Sequence, residues 1–249
     1  MGTRITHVFF DATDTLLRLQ GSVAALYAEV AQRHGASLPV EKVCTAFSNA
    51  LKAVSQDVSP DYSADTVADR ERDYWLQIVK ATFDPLARFD DFSIFFDELF
   101  EAFRHRAAWE LLPHAPETLE LLANQDITLG IISDMDSRLF PVLEAFDIKH
   151  YFAGIYLSFP TGYQKPDRRF FEVACRNLRA DPAQAVHVGD SWSKDVVGPR
   201  DAGLHAVWLQ PPGKRAPDLD VPCIADLAQL PALLVERWPQ EDRQASERS

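Results

Sequence analysis

Four short segments carry residues able to do chemistry together. The first is Asp11-Ala12-Thr13-Asp14-Thr15, directly after the apolar run His7-Val8-Phe9-Phe10. The second is Ser133-Asp134, after Ile127-Thr128-Leu129-Gly130-Ile131-Ile132. The third is the loop Gly162-Tyr163-Gln164-Lys165-Pro166-Asp167, and the fourth is Gly189-Asp190-Ser191, with Asp195 a helical turn later. Taken singly, each carboxylate reads as a helix cap or turn former, and Lys165 as a solvated charge. Taken together, they set at least two carboxylates, a hydroxyl and an ammonium at the ends of strands. Paired carboxylates without soft ligands suit Mg²⁺, which accepts oxygen donors and keeps several waters. A hydroxyl, a lysine and free backbone N–H groups suit a phosphoryl group. A carboxylate facing that phosphorus is a nucleophile able to form an aspartyl-phosphate. The combination points to phosphoryl transfer.

The elements that must position these groups can be read from hydrophobic period. His7–Phe10 is a strand. From Arg18 to Ala108 the pattern is helical, with stripes at Val23/Leu26/Tyr27/Val30, Val43/Phe47/Ala50/Leu51/Val54, Val67/Tyr74/Trp75/Ile78/Val79 and Phe92/Phe95/Phe96/Leu99/Phe103. Eight of the sixteen phenylalanines fall there, which predicts a helical bundle with large rings in its core. Beyond Ala108 helices and strands alternate. Helices are expected at 116–124, 138–146, 167–178, 195–202 and 224–237, and strands at 127–132, 155–158, 185–188 and 206–209. Alternation of this kind predicts an α/β fold, a three-layer Rossmann-like parallel sheet with an inserted α-helical bundle cap. The expected domains are a core of residues 1–17 and 109–239, a helical cap of 18–108 and a flexible tail of 240–249. An insertion after the first strand would overhang the carboxyl ends of the strands, where open parallel sheets bind ligands.

Composition narrows the classes of partner. The 249 residues carry a formal charge of −12, which disfavours nucleic acid and anionic membranes as partners. No apolar run approaches the roughly 20 residues that span a bilayer. The three cysteines lack metal-site or disulfide spacing, as in a reducing, cytoplasmic setting. A monomer or homodimer acting on a small phosphorylated substrate is expected.

The four segments, in this order, resemble the motifs of the haloacid dehalogenase (HAD) superfamily, over nearly the whole span from Val8 to about Gln210. The resemblance implies Asp11 as nucleophile and phosphate ligand, with Asp11, Asp190 and the Thr13 carbonyl on Mg²⁺. It implies that Ser133 and Lys165 hold phosphoryl oxygens, alongside Asp134. Asp195 would hydrogen-bond metal-bound water or orient Lys165. One position departs from the pattern: the family's usual acid/base aspartate is replaced by Thr13. A threonine hydroxyl is a poor general acid or base, and losing such a group costs about 10²- to 10⁴-fold in rate. Asp14, Asp65, His114 and Asp136 are the candidate substitutes, with the Asp14 side chain expected to point away from Thr13 along an extended segment. The expected function is therefore a Mg²⁺-dependent phosphatase or phosphotransferase, with a catalytically impaired binding protein or a 2-haloacid dehalogenase as alternatives. A halide leaves without protonation and so tolerates Thr13, whereas Gly189-Asp190 is the phosphatase form of the fourth motif.

Overall fold

The computed structural model describes residues 4–54, 66–217 and 220–239. Asp65 and the tail 240–249, both named above, lie outside the described residues. In chain order the elements are β1 (His7–Phe10), β2 (Leu17–Leu19), α1 (Val23–Arg33), α2 (Val40–Ala53), α3 (Val67–Phe83), α4 (Phe92–Ala102), β3 (Trp109–Leu111) and α5 (Ala115–Ala123). There follow β4 (Thr128–Ser133), α6 (Leu139–Ala145), β5 (Phe152–Leu157), α7 (Ser158–Thr161), α8 (Arg168–Leu178) and β6 (Ala185–Gly189). A π-helix at Trp192–Val197, α9 (Gly198–Asp201), β7 (His205–Leu209), β8 (Cys223–Ile224) and α10 (Leu230–Arg237) complete the fold.

Six parallel strands form one sheet in the order β5-β4-β1-β6-β7-β8. Val8, Phe9 and Phe10 have no solvent exposure, because helices cover both faces of the central strand. One side holds Leu119, Leu122, Leu139, Val142 and Leu143 against Val8 and Phe10. The other holds Phe170, Phe171 and Ala174 against Phe9 and Ile132. Phe10 is in register with Ile131 of β4 and Val188 of β6. The residues that follow these three therefore leave the sheet side by side. The chain moves from β1 to β4 and β5 on one side, then to β6 on the other, so the strand order reverses at β1. Parallel sheets bind ligands at such a reversal.

The four helices α1–α4 lie between β1 and β4 in sequence and have an apolar cluster of their own. Tyr27, Val43, Phe83, Phe95, Phe96 and Leu99 are its buried members. Phe95 stacks on Phe89 at 4.0 Å between centroids and meets Phe83 edge-on at 4.9 Å. Capping sets two of the starts: Thr66 and Asp69 form a reciprocal capping box on α3, and Asp91 accepts from Ser93 N and Ile94 N on α4.

Three features differ from the sequence expectation. Leu17–Leu19 pairs antiparallel with Trp109–Leu111 in a two-stranded ribbon that the sequence did not announce; the expected limit at 17/18 lies inside it and that at 108/109 at its edge. The expected helix 224–237 begins instead as the edge strand β8, with α10 only from Leu230. The expected helix 195–202 is a π-helix running into α9. Among the described residues no helix is long and apolar enough to cross a membrane.

Candidate active site

The sheet register delivers the chemistry to one place. Asp11 follows β1 directly, Ser133 ends β4, and Asp190 follows Gly189 at the end of β6. Asp11 N donates to Val188 O at 2.9 Å, which ties the Asp11 backbone to β6 beyond the ladder. Asp11, Thr13, Ser133, Asp134, Lys165, Asp190 and Asp195 all line one cavity of about 510 Å³. The structure thus brings together every site residue expected from the sequence.

Lys165 is the electrostatic centre. Its side chain is almost wholly buried, with Nζ 2.7 Å from Asp11 Oδ1 and 2.6 Å from Asp195 Oδ1. Burial disfavours an ammonium, but the Asp11 and Asp195 carboxylates outweigh it and hold the Lys165 pKa above its usual value. Burial likewise opposes the charge on Asp195, yet Lys165 and His187 keep that carboxyl well below the usual range. For Asp11 the balance falls the other way: burial raises its pKa, and the Asp195 charge adds to this against the pull of Lys165.

Asp195 is fully enclosed and its oxygens are taken. Oδ1 receives Lys165 Nζ and lies 3.0 Å from His187 Nε2, while Oδ2 accepts from Ser191 N at 2.9 Å. Gly189 makes room for it, since a Cβ there would lie 2.4 Å from Asp195 Cγ. Its place is behind Lys165, as a positioning group. His187 is a site residue that the sequence motifs do not name. It is packed, edge-on to Phe171 at 5.3 Å, and it also braces Asp195. The only signal was an imidazole in an otherwise apolar strand.

Asp134 braces the same lysine from its backbone. Oδ1 accepts from Lys165 N at 2.9 Å and Oδ2 from Lys194 Nζ at 2.8 Å. Asp134 thereby fixes the loop that carries Lys165. Ser133 Oγ, buried at the floor, accepts from Met135 N at 3.3 Å. Tyr163 packs with the α8 cluster, and Trp192 meets Trp208 edge-on at 5.2 Å.

Asp11, Asp190 and Asp195 can each offer an oxygen within 4.8 Å of the others. Burial, with the Asp195 and Asp14 charges, pushes the Asp190 carboxyl up to about 6. One buried ammonium faces these carboxylates, and the donors are hard oxygens, so the set fits a divalent cation of the hard class. Asp11 and Asp190 are the two that could hold it, with Asp195 already held by Lys165, His187 and Ser191.

The candidate substitutes for the missing acid/base are separated by their surroundings. Asp136 is buried and held ionised, because Arg138 outweighs the effect of burial. Its oxygens take Arg138 Nε at 2.8 Å, Arg138 Nη2 at 2.6 Å and Trp75 Nε1 at 2.5 Å. His114 Nδ1 lies 2.8 Å from Asp226 Oδ1 and does not line the cavity. Asp14 does line it, and its backbone is left-handed (φ 59°) where an extended segment was expected. Aspartate tolerates that conformation better than most residues. The turn is closed by Asp14 N donating to Leu17 O at 2.6 Å.

Comparison with known proteins gives this arrangement a context. The family profile described as haloacid dehalogenase-like hydrolase matches residues 5–203. The chain is 31% identical over 205 residues to haloacid dehalogenase-like hydrolase domain-containing protein 3 of Bos taurus, covering 82% of this chain and 81% of that protein. It is 30% identical over 141 residues to glyceraldehyde 3-phosphate phosphatase of Methanothermobacter thermautotrophicus, covering 52% of this chain and 62% of that one. Among solved structures, a 2-haloacid dehalogenase from Pseudomonas syringae superposes with a TM-score of 0.68 at 28% identity, covering 94% of this chain and 99% of its own. Some relatives are thus named phosphatases and others dehalogenases, and this chain belongs to the haloacid dehalogenase-like hydrolase family.

Proposed function

We propose that the protein is a Mg²⁺-dependent phosphatase or phosphotransferase that acts on a small phosphorylated metabolite through an aspartyl-phosphate at Asp11. One observation carries this reading: Asp190 brings a second cavity-facing carboxylate to Asp11, in a cluster that, among the described residues, only Lys165 neutralises. Displacing a halide needs no such cation site. Transferring a phosphoryl group does, because the protein's own field is acidic and a phosphate dianion must be drawn into it.

In the first step Asp11 attacks phosphorus, the bond to the leaving oxygen breaks, and that oxygen takes up a proton. In the second step water attacks the same phosphorus, the Asp11–phosphorus bond breaks, and phosphate leaves with the carboxylate restored. Lys165 offsets charge on Asp11 and on the phosphoryl oxygens, and Ser133 donates to one of them. Asp195, His187 and Asp134 keep Lys165 in place. Mg²⁺ held by Asp11, Asp190 and the Thr13 carbonyl would supply the positive charge that the transferring group requires. Helices α1–α4 act as the cap, excluding water from the cavity they share with the sheet. Thr13 predicts slow turnover of esters whose leaving oxygen is strongly basic, because no acid stands at that position.

The test is hydrolysis of 4-nitrophenyl phosphate with and without Mg²⁺ by the parent, Asp11→Asn and Thr13→Asp. Mg²⁺-dependent turnover that Asp11→Asn abolishes supports the proposal, and Thr13→Asp is expected to accelerate it on substrates with basic leaving groups. Equal background rates in all three would refute it and favour a binding role. The likeness to a 2-haloacid dehalogenase at 28% identity gives the other reading its footing. Chloride release from a 2-chloro acid without metal would support that one.

A further inference from the structure

Phosphoryl transfer accounts for the floor of the cavity and leaves its wall unexplained. Beside the carboxylates the cavity is lined by Val23, Phe47, Leu51, Trp75, Phe103 and Trp109. The two indoles in this wall have no free donor. Trp75 Nε1 donates to Asp136 at 2.5 Å, and Trp109 Nε1 donates to the Phe103 carbonyl at 2.9 Å. What the wall presents is ring faces and hydrocarbon.

The cations bordering the cavity are each paired among the described residues, Lys194 at a half-exposed position. Lys165 sits between Asp11 and Asp195, and Lys194 on Asp134. Arg138 is buried against Asp136, with its guanidinium 4.8 Å from the centroid of Trp75, 4.3 Å from that of Phe100 and 5.3 Å from that of Phe103. Asp14 adds a further carboxylate to the lining. A ligand carrying a second anionic group beyond its phosphate would meet no unpaired cation there and would desolvate that charge against rings.

We infer that this site takes a phosphate monoester whose leaving group is an aryl or alkyl hydrocarbon without a second anionic group. The assignment rests on the phosphatase reading. Apolar contact then supplies the affinity for the leaving group, while the carboxylate-lined floor handles the phosphate alone.

The test separates the two levels. Binding of non-hydrolysable propyl-, pentyl- and heptylphosphonate and of 3-phosphonopropanoate to the Mg²⁺-loaded protein is measured by titration calorimetry, beside turnover of phenyl and 4-carboxyphenyl phosphate. The expected result is about fourfold tighter binding for each added methylene until the wall is covered. 3-Phosphonopropanoate should bind at least about tenfold more weakly than propylphosphonate. Phenyl phosphate should be the better substrate, and Leu51→Arg should raise affinity for 3-phosphonopropanoate selectively. A flat alkyl series, or preference for the carboxylated ligands by the parent, overturns the inference while ester turnover leaves the phosphatase reading standing. A sloped series without turnover of any ester overturns the phosphatase reading, and the substrate assignment falls with it.

Discussion

Gly189→Ala is a single methyl group aimed at the charge network. The new Cβ would sit 2.4 Å from Asp195 Cγ and 2.6 Å from both Asp195 Cβ and Oδ2. Carbon atoms in contact prefer about 3.5–4.0 Å, so the Asp195 side chain must retreat by about 1 Å. It has nowhere to go: it is fully buried, its oxygens are held by Lys165, His187 and Ser191, and its own N donates to Ser191 O at 2.7 Å. Overpacking costs about 1–3 kcal/mol. Losing one hydrogen bond to a charged group adds about 1.5–3 kcal/mol. The sum, about 2.5–6 kcal/mol, lowers Tm by roughly 5–25 °C in a chain of this size. Turnover should drop by at least about tenfold, since Lys165 loses its fixed partner while facing Asp11. Calorimetric melting reads the first effect. The control is the same substitution in an Asp195→Gly background, where the atoms it collides with are absent and its added cost should fall below about 1 kcal/mol. Equal costs in the two backgrounds, or a Tm within about 2 °C of the parent, would refute the reasoning.

Three further outcomes follow from the geometry. Native Asp190 holds its proton up to about pH 6 against 3.8 for the free side chain, so metal-free stability should fall as pH rises between these values. Urea midpoints should show this slope flattened in Asp190→Asn, and Mg²⁺ at pH 7.5 should raise Tm in the parent alone; an unchanged slope would contradict the assignment. Arg138→Met leaves Asp136 buried and uncompensated, which should cost about 3–5 kcal/mol, and Asp136→Leu added to it should restore part of that loss. Glu71 of α3 is buried, accepts from Ser137 N at 3.1 Å and also takes the Ser137 hydroxyl. Glu71→Ala should cost about 1–3 kcal/mol and speed amide exchange at Ser137, which would stay protected if the contact were incidental.

The parts of the site that were legible in the sequence are those coded locally. An apolar run that stops at Asp11, Ser133 or Asp190 marks a strand end, and parallel pairing then places neighbouring ends together. Helices α1–α4 were legible because each repeats apolar residues at helical spacing over about two to three turns. The ribbon of Leu17–Leu19 and Trp109–Leu111 was not, being two three-residue strands about 90 positions apart. Nor was β8, two residues long and defined only by its bonds to β7. The π-turns at Trp192–Val197 escape notice because apolar period does not encode the width of a turn. The Asp14 turn depends on a backbone angle that an Asp-Thr pair leaves open. Long-range braces such as Trp75–Asp136 and His187–Asp195 pair side chains whose types suggest packing or caps when read alone.

The ribbon of β2 and β3 bears on how such a chain could have been assembled. Hydrogen-bonded strands lie about 4.8 Å apart, so the segment from Gln20 to Ala108 leaves and rejoins the sheet domain at almost one point. A tight hairpin could bridge that gap, and the loop-closure cost depends only weakly on how much chain is spliced in. The helices, with their separate aromatic core, therefore form a cassette that recombination could exchange or delete without disturbing strand order or Asp11. Leu19 and Trp109 line the cavity from the hinge of that cassette. Swapping cassettes would change most of the wall while these two residues stayed behind.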